Sequence, residues 1–414
     1  MPKPKILWNA KDLPGFYSGY GIMGHYLLPL LGEHYGRENI IIYAPVYQRD
    51  AVTEWGGMKV LPGISWDYGE NLILEHYQHE RCNLLLQVGD AWPLGIVPDL
   101  ASNDEILWVQ WIPVDWLGMP KNIINRIRPA HKLIPFSKYG ENALRKHNFP
   151  NVSPAIWIGL NTDLWEPQPR EELPQVMDLL GFGYDTFNIL IVAANQERKG
   201  IFQQLEAIRL LRQVSPEIPL RLYLHTTRMR GDRDLYADID ELGIGDIVVF
   251  PEPYLMQIGG IKEEEMVKIF NCADVLLNVC FEGFGISMTQ AQACGVPVVY
   301  LLEGPGDELV VSGVGTPPIA NITHPNMMTS PLPNPMAIAH ALGELWKRRV
   351  ENGGSLRSEK AIQHIQDNFS WKKIAGQWIE VIDGVMEDRE KYCMDIPQPS
   401  DELLKKAGRI RELE

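Results

Sequence analysis

Short apolar runs, rich in β-branched and aromatic residues, alternate with amphipathic stretches along almost the whole chain. This alternation limits the fold more than any other feature. In the first part, KILWNA, NIIIYAP, CNLLLQVG, EILWVQWIP, KLIPFS and PAIWIG read as strands. The helical pattern GIMGHYLLPLLGEHYG, closed by a glycine, separates the first two. In the second part, FNILIVAA, LRLYLH, DIVVFP, ADVLLNVC and VPVVYLL read as strands, with helices FQQLEAIRLLRQV and KEEEMVKIFNCA among them. Such β–α alternation predicts parallel sheets covered by helices on both faces. The pattern restarts after GLNTDLWEPQPREELPQ, a polar, proline-containing stretch suited to a linker. The expected division is therefore a Rossmann-like domain over 1–167, a second over 168–375, and a helix and tail over 376–414 that pack back on the first. Near the end, MAIAHALGELWKRRVENGG reads as a helix stopped by Gly353 and Gly354. FSWKKIAGQWIEVIDGVME is another amphipathic helix, followed by a charged tail from about Asp395. No solenoid-period repeat and no low-complexity tract interrupts this order.

The chain has 414 residues, 45% hydrophobic and 22% charged, as in a soluble protein able to bury two cores. No run approaches the roughly 18 apolar residues of a membrane span, and MPKPKILWNAKD lacks a signal-peptide apolar region. Cys82, Cys272, Cys280, Cys294 and Cys393 form no CxxC pair and sit mostly in apolar runs. They read as reduced thiols, and the expected location is the cytoplasm. A formal charge of −15 argues against nonspecific grip on nucleic acid or anionic lipid. Most of the twelve Trp and fifteen Tyr are expected to serve packing.

The chemically richest stretch is FEGFGISMTQAQACGVPVV, Phe281 to Val299. A strand, a tight glycine turn and a helix together present several backbone N–H groups at one point, and these attract an anion, usually phosphate. Gly283 and Gly285 let the backbone approach a ligand that a Cβ would block. Glu282 then stands at the carboxyl end of a parallel strand, where open α/β sheets bind ligands. A carboxylate is a poor phosphate contact and a good hydroxyl contact, and a sugar phosphate offers both groups. From this motif alone, a plain strand–turn–helix joint with a solvated glutamate fits equally well.

EGFGISMTQAQACGVPVV resembles the donor-binding signature of retaining glycosyltransferase family four, in which two glutamates flank seven residues. The resemblance implies that Glu282 contacts the donor sugar and that the amides of Gly283, Phe284, Gly285, Ile286 and Ser287 hold sugar and diphosphate. Gln290 stands where the second, ribose-binding glutamate is usual, and it lacks the charge that strengthens such bonds. VAANQERKGI is similar to the family's basic pair. Lys199 is the firmer match, Asn195 stands where the other arginine usually lies, and Arg198 is the compensating candidate. Cations at a helix start oppose the helix dipole, a conflict that a bound phosphate resolves. AHKLIPFSKYGENALRKHNFPNVSPAIWIGLNTDLWEP, ELGIGDIVVF, EGPGDELVVSG and FSWKKIAGQWIEVI resemble further family landmarks in the expected order. The resemblance runs from about Lys5 to Val385 and is strongest in the second half.

SGYGIMG satisfies G-x-G-x-x-G, yet eight residues separate it from the first strand, and the second strand ends YAPV without an acidic residue. A dinucleotide site is therefore rejected. The resemblance instead implies a glycine-rich loop facing donor phosphates and acceptor, with Tyr20 and Gly21 as nominees. Asp115 in QWIPVDW fits either a donor or acceptor contact or a loop cap. His225 in LYLHTTR ends a strand where it could approach the nucleotide, whereas His25 and His131 read as structural.

The resemblance implies a GT-B α/β architecture, two Rossmann-like domains with parallel sheets facing a central cleft. The N-terminal domain would take the acceptor and the C-terminal domain the nucleotide sugar. The expected reaction moves a hexose-type unit from a UDP- or GDP-sugar to a hydroxyl acceptor with retention of configuration. Arg198 and Lys199 would stabilise the leaving diphosphate. No Asp-x-Asp box ends a strand in the second half, and the DRD at Asp232 to Asp234 reads as solvated, so no metal or other cofactor is expected. Three alternatives stand beside this reading: a sugar-nucleotide 2-epimerase, a noncatalytic or weakly active nucleotide-sugar binder, and a nucleic-acid base glycosyltransferase. The acidic balance disfavours the last.

Overall fold

The computed structural model describes residues 3–16, 18–44, 51–63, 70–118, 120–227, 231, 233–324 and 327–391. The chain divides into two compact units, 1–114 with 119–159 and 371–414, and 115–118 with 160–370.

The first unit is built on a seven-stranded sheet. Its strands are β1 (Ile6–Ala10), β2 (Ile40–Tyr43), β3 (Thr53–Trp55), β4 (Met58–Leu61), β5 (Leu84–Val88), β6 (Trp108–Ile112) and β7 (Lys132–Pro135). The order is β3-β4-β2-β1-β5-β6-β7, parallel throughout except for the antiparallel edge strand β3. β1, β5 and β6 are buried along their whole length, which explains their nearly unbroken apolar runs. The Gly19–Tyr35 helix starts at Ser18, whose side chain accepts from the Gly21 N–H. The Trp371–Lys391 helix packs in this unit. Trp378 meets Trp111 edge to face at 5.0 Å, and the Tyr35 hydroxyl donates to Asp383 at 2.9 Å.

The second unit contains β8 (Phe187–Val192), β9 (Leu220–His225), β10 (Val248–Val249), β11 (Val275–Asn278), β12 (Val298–Leu301) and β13 (Gly313–Thr316). The order is β10-β9-β8-β11-β12-β13, and every pairing is parallel. A separate antiparallel pair, β14 (Pro318–Thr323) and β15 (Thr329–Pro333), follows the sheet. Asp274 anchors the far side of the core. It takes Arg170 at 2.8 Å and Arg349 at 3.0 Å, while Arg170 and Arg357 cap carbonyls ending the Glu263–Cys272 helix and Arg349 donates to the Tyr184 carbonyl at 2.7 Å.

The division lies at 159/160 and 370/371 rather than at 167 and 375. The reason is the linker itself, which packs as part of the second unit. The Leu160 N–H bonds the Phe369 carbonyl at 2.7 Å, Trp165 donates to Glu263 at 2.6 Å, and the Gln168 N–H bonds Asn271 at 2.9 Å. PAIWIG forms no strand and joins no ladder. β3, β4, β13 and the β14–β15 pair were not legible as strands, being short or rich in glycine and proline. Asp232, Cys393 and the tail from Asp395 lie outside the described residues, and Asp234 caps the Leu235–Leu242 helix.

Candidate functional site

In the second unit the strand order reverses between β8 and β11, the place where open α/β sheets receive ligands. Two loops meet there. After β8 the chain passes through a 3₁₀ turn, Glu197–Lys199, and reaches Gly200 at φ +58°, which starts the Ile201–Val214 helix. A Cβ on Gly200 would lie 2.7 Å from the Pro333 ring, so both conformation and space call for glycine. After β11 the chain reaches Gly285 at φ +102°, which starts the Ile286–Ala293 helix. Neither helix start has a side-chain cap, so no capping side chain claims its first N–H groups.

Between the loops, buried Lys199 forms a hydrogen-bonded ion pair with half-buried Glu282. Arg198 lies 3.9 Å from the second oxygen of Glu282 and 3.3 Å from Asp115, which belongs to the short 115–118 segment of the second unit. Burial alone would raise the Glu282 carboxyl. The Lys199 and Arg198 cations, with hydrogen bonds from Lys199 and Cys280, outweigh burial and hold it below the usual carboxylate range. Two cations and two carboxylates thus form a nearly neutral cluster beside uncapped helix starts.

Three residues that sequence reasoning passed over hold this arrangement. Gln204 is 1% exposed; its amide donates to the carbonyls of Lys199 (3.0 Å) and Gly200 (3.4 Å), and its oxygen accepts the Val279 N–H (3.4 Å). It therefore clips one loop to the other. Asn278 donates to Ser287 at 2.8 Å, and the Cys280 thiol donates to Asn278 at 2.8 Å and Glu282 at 3.3 Å. Burial, reinforced by Glu282, pushes that thiol well up, so it remains a proton donor. For Asn278 the available signal was one polar residue ending an otherwise apolar strand; Gln204 lies on a helix with several polar residues and gave no such signal.

The other nominees fare differently. Asn195 is buried and donates to the Arg233 carbonyl at 2.8 Å, so its amide supports a neighbouring segment. Gln290 is half-buried on the Ile286–Ala293 helix, two turns from Glu282 in sequence. His225 ends β9 beside β8; burial lowers it to about 4, leaving a neutral imidazole whose Nδ1 has no hydrogen-bond partner. Tyr20 and Gly21 belong to the first unit. The Tyr20 hydroxyl donates to Asp90 at 3.1 Å. Gly21 sits in the first helical turn rather than in an open loop, with its N–H given to Ser18, and a Cβ there would lie 2.3 Å from the Phe16 carbonyl oxygen. Its N–H is thus committed to the helix cap. Among the described residues, no group of three His, Cys, Asp or Glu side chains is placed to hold a metal ion.

A sequence profile for the family described as "Glycosyl transferases group 1" matches residues 186–348, which span both loops. Those residues form a glycosyl transferases group 1 domain. Relatives agree. A D-inositol 3-phosphate glycosyltransferase of Paenarthrobacter aurescens is 27% identical over 267 residues, 64% of this chain and 57% of its own length. A GDP-mannose-dependent alpha-(1-6)-phosphatidylinositol monomannoside mannosyltransferase of Mycolicibacterium smegmatis is 27% identical over 335 residues, 73% of this chain and 77% of its own. The match thus spans little more than half the length of the first of these relatives. Among solved structures, a sucrose-phosphate synthase from Thermosynechococcus elongatus aligns with a TM-score of 0.72 at 16% identity, covering 93% of this chain and 100% of that one. Anabaena HepE in complex with UDP-glucose aligns at 0.65 and 15% identity, covering 92% and 99%. The fold is GT-B, with the group 1 domain as its second Rossmann-like unit. No helix among the described residues is long and apolar enough to cross a membrane.

Proposed function

We propose that the protein is a retaining glycosyltransferase that moves a sugar from a UDP- or GDP-sugar to an acceptor hydroxyl. The observation that carries this reading is the meeting of Lys199 and Glu282 at the switch point of the group 1 domain, beside two uncapped helix starts. A diphosphate brings negative oxygens to the N–H groups of residues 283–287, and these satisfy it without further cost in charge. Lys199 and Arg198 then exchange their carboxylate partners for phosphate and stabilise the charge that grows on the leaving diphosphate as the glycosidic bond breaks. Glu282, released from Lys199 and still ionised, accepts hydrogen bonds from the sugar hydroxyls and orients the ring. Gln290 takes the ribose hydroxyls with a neutral amide. The chemistry asks for no metal on this account, because fixed cations and amides supply the positive field. The relatives' names, which include GDP-mannose-dependent transfer, and the UDP-glucose complex of a structural neighbour support this donor class. Four described cysteines, all buried and free, fit a reducing cytoplasm.

The test is a panel of UDP- and GDP-sugars screened for thermal stabilisation, followed by product analysis with and without candidate acceptors. Stabilisation by one nucleotide sugar and acceptor-dependent product of unchanged anomeric configuration are expected. Interconversion of the donor without acceptor would establish an epimerase instead. Binding with neither transfer nor hydrolysis would leave a noncatalytic binder.

A further inference from the structure

The first unit has its own switch point, between β1 and β5. There each of three neighbouring central strands carries one amide in an otherwise apolar run: Asn9 in β1, Gln87 in β5 and Gln110 in β6. The sheet register sets them side by side, Asn9 against Gln87 and Gln87 against Gln110, and all three are at least 94% buried. Their orientations follow from a backbone group that can only accept. The Tyr43 carbonyl takes the Asn9 amide at 3.2 Å, which turns the Asn9 oxygen toward Gln87. The Gln87 nitrogen therefore donates to Asn9 Oδ1 at 3.1 Å and to Glu70 Oε1 at 3.3 Å. Gln110 is fixed likewise, donating to the Gly89 carbonyl at 2.7 Å and accepting from Trp108 at 3.1 Å. This relay of amides ends on Gln87 Oε1, a buried acceptor with no donor. All three amides line a pocket that also includes Lys11, Tyr20 and Asp90, with an inner void of about 40 Å³. That void takes one hydroxyl or one water, not a whole ring.

We propose that this pocket is a subsite for a neutral, polyhydroxylated molecule, one hydroxyl of which donates to Gln87 Oε1. An anionic oxygen has no proton to give Gln87 and would face the Asp90 and Glu70 carboxylates. An ammonium could donate to Gln87 but has no lone pair with which to accept from a lining donor, and Lys11 stands in the same lining. A hydroxyl can donate to Gln87 while accepting from a lining group. The inference rests on the transferase reading, under which such a molecule is the acceptor, and it assigns the acceptor's recognised part to the uncharged polyols.

The probes are myo-inositol, glucose and sucrose, with glucose 6-phosphate as the anionic counterpart, added to the full chain and followed by ligand-observed NMR. At least one neutral probe is expected to bind, and Gln87→Met, close in length and without the acceptor, should weaken it by roughly tenfold, the equivalent of one neutral hydrogen bond. Donor stabilisation by the nucleotide sugar should not change in the variant. A crystal soaked with the bound probe should place a hydroxyl within hydrogen-bond distance of Gln87 Oε1, a result that does not depend on the variant folding. Preference for glucose 6-phosphate, equal binding to both proteins, or density for a lone water at Gln87 overturns the proposal. Donor binding without any polyol binding also overturns it and leaves the transferase reading intact, whereas loss of the donor response from the unaltered chain removes that reading itself.

Discussion

The two sheets share one wiring. Setting aside the edge strand β3, β4-β2-β1-β5-β6-β7 and β10-β9-β8-β11-β12-β13 both reverse direction between their first and fourth members. Their switch points nevertheless differ in kind. One presents Arg198, Lys199, Glu282 and Asp115 at two helix starts; the other presents a row of neutral amides. Ions are strong but indiscriminate contacts whose strength falls with salt, whereas buried amides are weaker and directional. On the two proposals above, identical topology would serve an anion in one unit and a hydroxyl in the other, with the side chains at the strand ends deciding which.

The contrast predicts where charge matters. Lys199→Glu should weaken UDP or GDP binding by roughly a hundredfold or more, since it removes a charge-assisted bond and sets a second carboxylate beside Glu282. Calorimetry checks this, and unchanged affinity would remove Lys199 from the site. In the same titrations, raised ionic strength should weaken nucleotide binding and leave polyol binding unaffected.

Acidification should also act on the second unit. His225 is held near 4 by burial, below its ordinary value of about 6.5, so on acidification the unfolded chain takes up that proton first. Its contribution is fully present above pH ~6.5 and is lost as pH falls toward about 4, on the order of 1–3 kcal/mol. Glu282 shifts downward and keeps its charge through this window, so the Lys199 pair persists until the pH falls below the usual carboxylate range. Melting temperature against pH should thus slope less in His225→Gln than in the unaltered chain. Parallel slopes would show that another group governs acid loss.

Backbone demands should be felt next. Gly200→Ala forces a Cβ onto a left-handed residue against Pro333 and should cost about 1–2 kcal/mol, read as a lower melting temperature. An unaltered melting temperature would mean that the turn relaxes freely.

What could be read from the sequence follows the same contrast. The meeting of Lys199 and Glu282 beside Gly285 was legible because each lies within a few residues of its own turn, and the role proposed for them rests on that local order. The β–α alternation was legible because buried parallel strands must be apolar on both faces. Asn9, Gln87 and Gln110 were not, because each is one polar residue in an apolar run, and only the register between distant strands makes them neighbours. Gln204 hid on a helix whose solvated face carries similar residues. Asn195 and Gly21 misled in the opposite way. Their types suit phosphate loops, yet a carbonyl and a helix cap had already claimed their hydrogen bonds.

Asp115 offers the smallest and most discriminating test. It pairs with Arg198 at 3.3 Å, and its side chain is 14% exposed. A diphosphate must draw Arg198 away from this carboxylate, so Asp115 opposes donor binding as long as the pair persists. Asp115→Asn keeps the shape, removes the competing charge and should tighten nucleotide diphosphate binding by roughly threefold to tenfold, the scale of one partly exposed ion pair. If Asp115 instead contacts the sugar or the acceptor, the same change would leave UDP affinity untouched and lower turnover with the complete donor. Measuring UDP binding and transfer rate on one preparation separates the roles, because loss of an electrostatic competitor tightens UDP binding, whereas loss of a substrate contact leaves UDP binding unchanged and slows transfer.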